Sequence, residues 1–187
     1  RALVANAASI GKRAGRPIEI VGVSARKPRE VPGARFEANP VALAGAPDVD
    51  VFVELMGGAE GVAREAVEVA LGAGKTVITA NKALLAAHGV ALARRAEKAR
   101  CGLHFEAAVA GGIPIVKTLR EGLAGNRVTR VHGIMNGTCN YILTRMEREG
   151  LTFEACLADA QRLGYAEADP TFDVDGWDTA HKLALVT

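Results

Sequence analysis

The sequence predicts an α/β protein built on a parallel sheet, followed by the start of an α+β unit. Three observations carry that prediction. Short apolar, β-branched runs recur at Ile18 to Val23, Asp50 to Met56, Thr76 to Thr79 and Gly102 to Val109. Helical patterns of about ten or more residues separate them, and strands alternating with such helices make a parallel sheet with helices on both faces. Aromatic residues are only 4% of the chain while Ala, Val and Gly abound, which suits tight helix–sheet packing.

Residues 1–14 read as a helix closed by Gly15 and Pro17, since glycine takes the left-handed turn at a helix end and proline cannot continue the helix. Ile18 to Val23 follows as a buried strand. Pro40 to Ala46 predicts a short helix, and Asp50 to Met56 a second strand that ends at Gly57-Gly58. Residues 60–73 place Val62, Ala66, Val69 and Ala70 on one helical face. Thr76 to Thr79 is the third strand, 83–100 a helix with a basic, exposed side, and Gly102 to Val109 the fourth strand. After Ile113 the character changes. Ile115 to Leu123 reads as helix, and Arg127 to Met135 alternates like a half-exposed strand. Asn136-Gly137-Thr138 opens a helix through Met146, and Thr152 caps another over 153–163 that Gly164 ends.

The 187 residues suffice for one domain with a full core, or one and a part. Net charge is +2 with no basic block, so neither nucleic acid nor an anionic membrane is a favoured partner. No apolar run approaches the ~20 residues of a membrane span, and no signal-peptide pattern is present. Three cysteines, Cys101, Cys139 and Cys156, lack CxxC or histidine spacing, which points to a reducing cytoplasm and away from zinc. The chain starts at Arg1 inside a helix-like run and stops at Thr187 inside an apolar one, so a fragment is expected.

The densest chemistry lies between Gly164 and Lys182, where five carboxylates gather: Glu167, Asp169, Asp173, Asp175 and Asp178. Pro170 and Gly176 break regular structure, so the acids sit on a shaped loop. Asp175 reads as a helix N-cap with Asp178 three residues on. Asp178 and Lys182 are four apart and share a helical face, about 5–6 Å from one another. On its own such a pair is a common surface feature. A calcium loop around Asp173-Val174-Asp175-Gly176 fails, because Lys182 would stand where a bidentate glutamate is needed.

Ligands of parallel sheets gather at the carboxyl ends of strands. Four segments qualify: Ser24-Ala25-Arg26, Met56-Gly57-Gly58, Ala80-Asn81-Lys82 and Glu106 to Ile113. Arg26, with Lys27 beside it, suits a 2′-phosphate through its planar fork, or is an ordinary surface arginine. Glu106 precedes Gly111-Gly112, which can turn successive carbonyls toward one point. One carboxylate with several carbonyls is hard-oxygen ligation for a cation of modest charge, or a plain strand-to-helix turn. Cys139 reads as a packing residue.

Ala160, Gly164, Asp169-Pro170, Asp173, Gly176, Asp178 and Lys182 together resemble the signature region of the homoserine dehydrogenases, and the resemblance extends back to Ser24. It implies a Rossmann-like parallel sheet followed by the start of an α+β substrate and dimerisation domain. The boundaries would be 1–113 for an NAD(P)-binding domain without its first strand and Gly-rich turn, and 114–187 for a partial catalytic domain. The implied reaction is the NAD(P)-dependent interconversion of L-homoserine and L-aspartate 4-semialdehyde, in threonine, methionine and isoleucine biosynthesis. Lys182 would be the proton donor and acceptor, supported by Asp178. Glu167, Asp173, Tyr165, Lys82 and the turn at Gly137 and Thr138 would contact the substrate. Arg26, Gly57 and Lys82 would serve the cofactor, with NADP favoured over NAD. Glu106 and the carbonyls of Val109, Gly111 and Ile113 would hold a sodium ion. The resemblance further implies a small-molecule substrate, a homodimer of the intact protein and a cytoplasmic location. An aldehyde-oxidising relative would need a cysteine nucleophile with a histidine partner, and Cys139 has no histidine at a suggestive spacing. The alternative from another class is a folded piece that associates or binds without turning over, which the missing Gly-rich turn favours.

Overall fold

The computed structural model describes residues 2–187. The first helical run is divided into α1 (Ala2–Ala5) and α2 (Ala7–Ala14), and Gly15 closes it at φ 72°. Of the strand expected over Ile18 to Val23, only Gly22–Val23 (β1) is strand, because its parallel partner Arg35–Phe36 (β2) offers two residues to pair with. In α3 (Pro40–Gly45) the Asn39 side chain accepts the Val41 N–H at 2.9 Å, and Pro40 occupies the first turn, where its missing N–H costs nothing.

The central unit is β3 (Val51–Glu54), α4 (Val62–Gly72), β4 (Thr76–Thr79), α5 (Lys82–Ala99) and β5 (Leu103–His104). Its three strands are parallel in the order β3-β4-β5. Phe52, Glu54, Val77 and Thr79 alternate onto the buried face. Ala66, Val67, Ala70 and Leu71 of α4 and Leu84, Leu85 and Leu92 of α5 pack there with Phe52 and Val77. The buried stripe of α4 runs through Ala63 and Val67, which leaves Val62 half exposed, one step round from the face predicted. Helices cover one face of this sheet rather than two. Strands that advance in one direction, each joined by a right-handed crossover, put successive helices on the same side. On the other side Val51, Val53 and Ile78 remain 47%, 49% and 40% exposed.

The strand expected over Gly102 to Val109 ends at His104, and Glu106–Val109 forms a helical turn, α6. β4 stops at Thr79, and the Glu106 carboxylate accepts the Val116 and Lys117 N–H groups at 2.8 and 3.0 Å, capping α7 (Ile115–Lys117). A π-helical turn over Thr118–Gly122 continues from it. Arg127 to Met135 carries no regular structure, since no strand among the described residues pairs with it. Then α8 (Gly137–Glu149) and α9 (Phe153–Arg162) start at the Asn136 and Thr152 caps and pack around Ile142, Cys156, Ala160 and Ala166. The short α10 (Thr171–Val174) leads into α11 (Trp177–Ala184), which lies against α5, while Leu185 joins the first core.

The one-sided core makes a simple prediction. Leu84→Ala should cost about 2–5 kcal/mol, whereas Val53→Ala on the open face should cost less than about 1 kcal/mol. Urea unfolding at unchanged slope measures both, and equal losses would mean that the open face is as well packed as the closed one.

Candidate active site

The cleft is organised from Asn136 outward. Its Oδ1 accepts the Cys139 N–H at 2.7 Å, which caps α8. Its Nδ2 donates to Asp173 Oδ1 at 2.8 Å and to Asp178 Oδ2 at 2.9 Å. A single buried amide therefore caps one helix and clamps acids from α10 and α11.

Gly176, at φ 84°, turns the chain between those helices and takes the N-cap position expected of Asp175, which instead ends α10. Asp178 is thereby released from a capping role and is 2% exposed. Lys182 Nζ donates to its Oδ2 at 2.7 Å, and Lys82 Nζ donates to its Oδ1. Burial pushes the Asp178 carboxyl up, but hydrogen bonds from Lys182, Lys82 and Asn136 outweigh it and hold the group below the usual carboxylate range. Lys182 also donates to the Met135 carbonyl at 2.8 Å. The Lys82 ammonium stands 5.2 Å from the centre of the Phe172 ring, a cation–π distance. The Thr138 hydroxyl is 2.7 Å from the Tyr165 carbonyl and 3.1 Å from Asp173 Oδ2, and its single proton serves one of them at a time. Burial raises the Cys139 thiol pKa, as do the charges of Asp173 and Asp178, so it stays protonated against the Asp173 carbonyl and packs as expected.

Gly137, Tyr141 and Tyr165 join Lys82, Asn136, Thr138, Asp173, Asp178 and Lys182 in lining an open cleft of about 470 Å³. A second depression of about 350 Å³, beside α5, carries His88 and Arg94 but no carboxylate. The cleft thus unites Lys182, Asp178, Asp173, Lys82, Gly137, Thr138 and Tyr165 from the sequence reading. Glu167 does not line it; that residue is exposed, and its carbonyl accepts from Gln161 Nε2 at 3.0 Å. Asn136 and Tyr141 also line the cleft; from sequence Asn136 reads as the start of a helix, in the turn whose Gly137 and Thr138 would meet the substrate, and Tyr141 only as part of that helix. The one signal for Asn136 was its cap position, because the acids it clamps lie 37 and 42 residues away.

The other predicted residues lie at strand ends. Arg26 is exposed in the bend after β1 and makes no ion pair among the described residues. Gly57 and Gly58 follow β3 at φ 83° and 86°. A Cβ at Gly57 would meet nothing within 4 Å, so backbone shape rather than crowding selects glycine there. Near α6 only Gly112 of the glycine pair takes positive φ, at 79°. Each Glu106 oxygen accepts one N–H, which leaves lone pairs for a further partner. The Ile113 carbonyl accepts the Ile115 N–H at 2.9 Å, whereas those of Val109 and Gly111 accept no backbone bond among the described residues.

Two family models match the chain. One described as homoserine dehydrogenase matches residues 114–187, and one described as homoserine dehydrogenase, NAD binding domain, matches residues 3–106. The chain belongs to the homoserine dehydrogenase family. Homoserine dehydrogenase of Neisseria gonorrhoeae is 50% identical over 186 residues, which cover 97% of this chain and 42% of the relative. The crystal structure of a homoserine dehydrogenase from Thiobacillus denitrificans matches at a TM-score of 0.91 and 48% identity, over 97% of this chain and 43% of that one. A hyperthermophilic archaeal homoserine dehydrogenase in complex with NADPH matches at 0.75 and 29% identity, over 98% of this chain and 53% of that one. The chain spans 42% of the length of the Neisseria relative, and its parallel sheets lie in the NAD-binding part.

Asp178 generates a prediction with a defined sign. Its folded pKa is lowered, so the stability it contributes is complete above the ordinary carboxylate value and is lost as pH falls through the folded value. Asp178→Asn should destabilise by about 3 kcal/mol at neutral pH, because two lysines lose their counter-charge. The deficit should shrink as pH falls below about 4. Urea unfolding across that range measures it, and a deficit that does not change with pH would deny the ion pair.

Proposed function

We propose that the protein carrying this chain interconverts L-homoserine and L-aspartate 4-semialdehyde, with NADP preferred to NAD. The observation that carries this reading is the convergence of Lys82 and Lys182 on the buried Asp178, inside a cleft that also presents Asp173 and the Asn136-Gly137-Thr138 turn. Alcohol–aldehyde interconversion needs a group that takes the hydroxyl proton and can return it. An ammonium has three N–H donors. Two of those on Lys182 are engaged, by Asp178 and the Met135 carbonyl, and the third position is left for a substrate oxygen. In oxidation the neutral amine accepts the hydroxyl proton, and the ammonium so formed is held by Asp178. In reduction the ammonium returns that proton to the aldehyde oxygen. The nicotinamide accepts or supplies the hydride when bound.

Lys82 is proposed to meet the substrate carboxylate. Asp173 from within the cleft, and Glu167 from the exposed segment after Tyr165, are proposed to meet its ammonium. Arg26, Gly57 and Lys82 would hold the coenzyme. An exposed arginine without an ion pair fits a 2′-phosphate, and the open φ-positive turn at Gly57 fits a close backbone approach. Glu106 and the carbonyls of Val109, Gly111 and Ile113 are hard-oxygen donors that fit a sodium ion, whose charge would tie α6 to the following turn. The proposed boundary between the dinucleotide domain, 1–113, and the start of the catalytic domain, 114–187, is supported by two core clusters, one with its buried members between Ala44 and Ala108 and one between Ile142 and Ala166, with Leu185 reaching across to the first. A homodimer in the cytoplasm without nucleic-acid or membrane partners completes the reading. The near-neutral charge and the free cysteines support the location and the lack of nucleic-acid partners, and the homodimer rests on the family resemblance.

Homoserine-dependent reduction of NADP by the protein carrying this chain tests the reaction itself. In that assay Lys182→Ala should lower kcat by about 10²–10⁴-fold and change KM far less. A kcat within about threefold of wild type would make the lysine structural. Arg26→Ala should narrow the preference for NADP by about 1.5–3 kcal/mol. Equal losses with NADP and NAD would place Arg26 away from the 2′-phosphate.

A further inference from the structure

Glu54 is a carboxylate at 0% exposure with no ion pair among the described residues. It ends β3 directly opposite Thr79, its register partner in β4. Oε1 accepts the Met56 and Gly57 N–H groups at 2.5 and 3.1 Å, and Oε2 accepts the Thr79 hydroxyl at 2.6 Å. The Thr79 oxygen in turn accepts the Asn81 N–H at 2.9 Å, and Asn81 Nδ2 donates to the Gly58 carbonyl at 2.8 Å. The bonds close a ring that runs from Glu54 through the 56–58 turn to Asn81 and back by Thr79. Asn81 Oδ1 also caps α5 through the Leu84 N–H at 3.0 Å, and the next residue, Lys82, reaches Asp178.

A desolvated charge without a cation costs several kcal/mol, which neutral donors only partly offset. Three donors onto two oxygens suit an acceptor-only group. A glutamine would turn an amide N–H toward Thr79 and strand the hydroxyl proton without an acceptor. The ring therefore depends on an acceptor-only group, since an apolar side chain would leave all three buried donors without a partner.

We propose that Glu54 is a positioning residue of the cleft, which locks the Met56–Gly58 turn and, through Thr79 and Asn81, fixes the point from which Lys82 extends. This rests on the dehydrogenase reading, in which the turn serves the coenzyme and Lys82 the substrate. The test compares Glu54→Gln, Thr79→Val and Thr79→Ser in the protein carrying this chain. Without coenzyme, the first two should speed amide hydrogen exchange at Met56, Gly57 and Asn81 by about tenfold and leave α8 unchanged, while Thr79→Ser keeps the wild-type pattern. Per folded molecule, the first two should raise the coenzyme KM about tenfold and lower kcat, and the double variant should be no worse than the poorer single one. Unchanged exchange would overturn the proposal. So would faster exchange with unchanged KM and kcat per folded molecule, which is the mark of a purely structural carboxylate. If Glu54→Gln does not fold, the contrast between Thr79→Val and Thr79→Ser decides. Were the wild type unable to oxidise homoserine, the dehydrogenase reading would fall, and the exchange data would still decide whether Glu54 locks the turn.

Discussion

Asp178 is 2% exposed, and a charge taken that far from water must be met by donors placed to match. Those donors come from three separate stretches: Lys82 at the start of α5, Asn136 at the start of α8, and Lys182 one turn along α11. Lys182 meets the carboxylate within α11 itself, but Asn136 reaches it only when α8 has docked and Lys82 only when the β3–β5 unit has. Buried ion pairs come near to breaking even in stability, since desolvation cancels most of the attraction. What the arrangement secures is therefore placement. Two lysines and two acids are brought to one cleft because none of them can be left unpaired in it.

The two asparagines at helix starts show how little chemistry the chain needs to do this. Asn81 and Asn136 each cap a helix through Oδ1, and each sends Nδ2 across the fold, one to the Gly58 carbonyl and the other to Asp173 and Asp178. Serine, threonine or aspartate would satisfy the cap as well. An amide joins an acceptor for the helix end to two donors on a separate atom, whereas a hydroxyl has one proton on the accepting oxygen itself and a carboxylate has none. At both positions, then, helix propensity explains why a cap stands there, and the crossing bond explains why it is asparagine.

What was legible in the sequence follows the range of the interactions. The β3–α4–β4–α5 alternation, the Asn136 and Thr152 caps and the Asp178–Lys182 pair all rest on spacings of a few residues. Alternation over Arg127 to Met135 told which side chains share a face, but not whether a partner strand existed, and none pairs there among the described residues. The same limit shortened the strands expected over Ile18 to Val23 and Gly102 to Val109. Strand order, which decides that one sheet face stays open, is not written in any local pattern. Five acids in one stretch could not be ranked by sequence either. Asp173 and Asp178 line the cleft while Glu167 stays outside, because Gly176 and the clamp from Asn136 choose which carboxylates turn inward. Glu54 escaped notice for a like reason, since its partner hydroxyl is 25 residues away.

The two lysines on Asp178 are not equivalent, and the difference supports the roles proposed for them. The Lys182 side chain is 19% exposed and that of Lys82 is 33% exposed. Lys182 has two oxygen acceptors at ordinary hydrogen-bond distance, which leave one N–H with a set direction. A proton that must be passed to one oxygen and taken back needs that directional definition. Lys82 has one carboxylate and the face of Phe172, a broad contact that tolerates rotation and leaves two N–H groups free. Such a group is suited to holding an anion, where charge matters more than the angle of a single bond. Asp178 thus sits between a lysine constrained enough to transfer a proton and one loose enough to bind a carboxylate, and exchanging their roles would ask each for the property that its surroundings deny it.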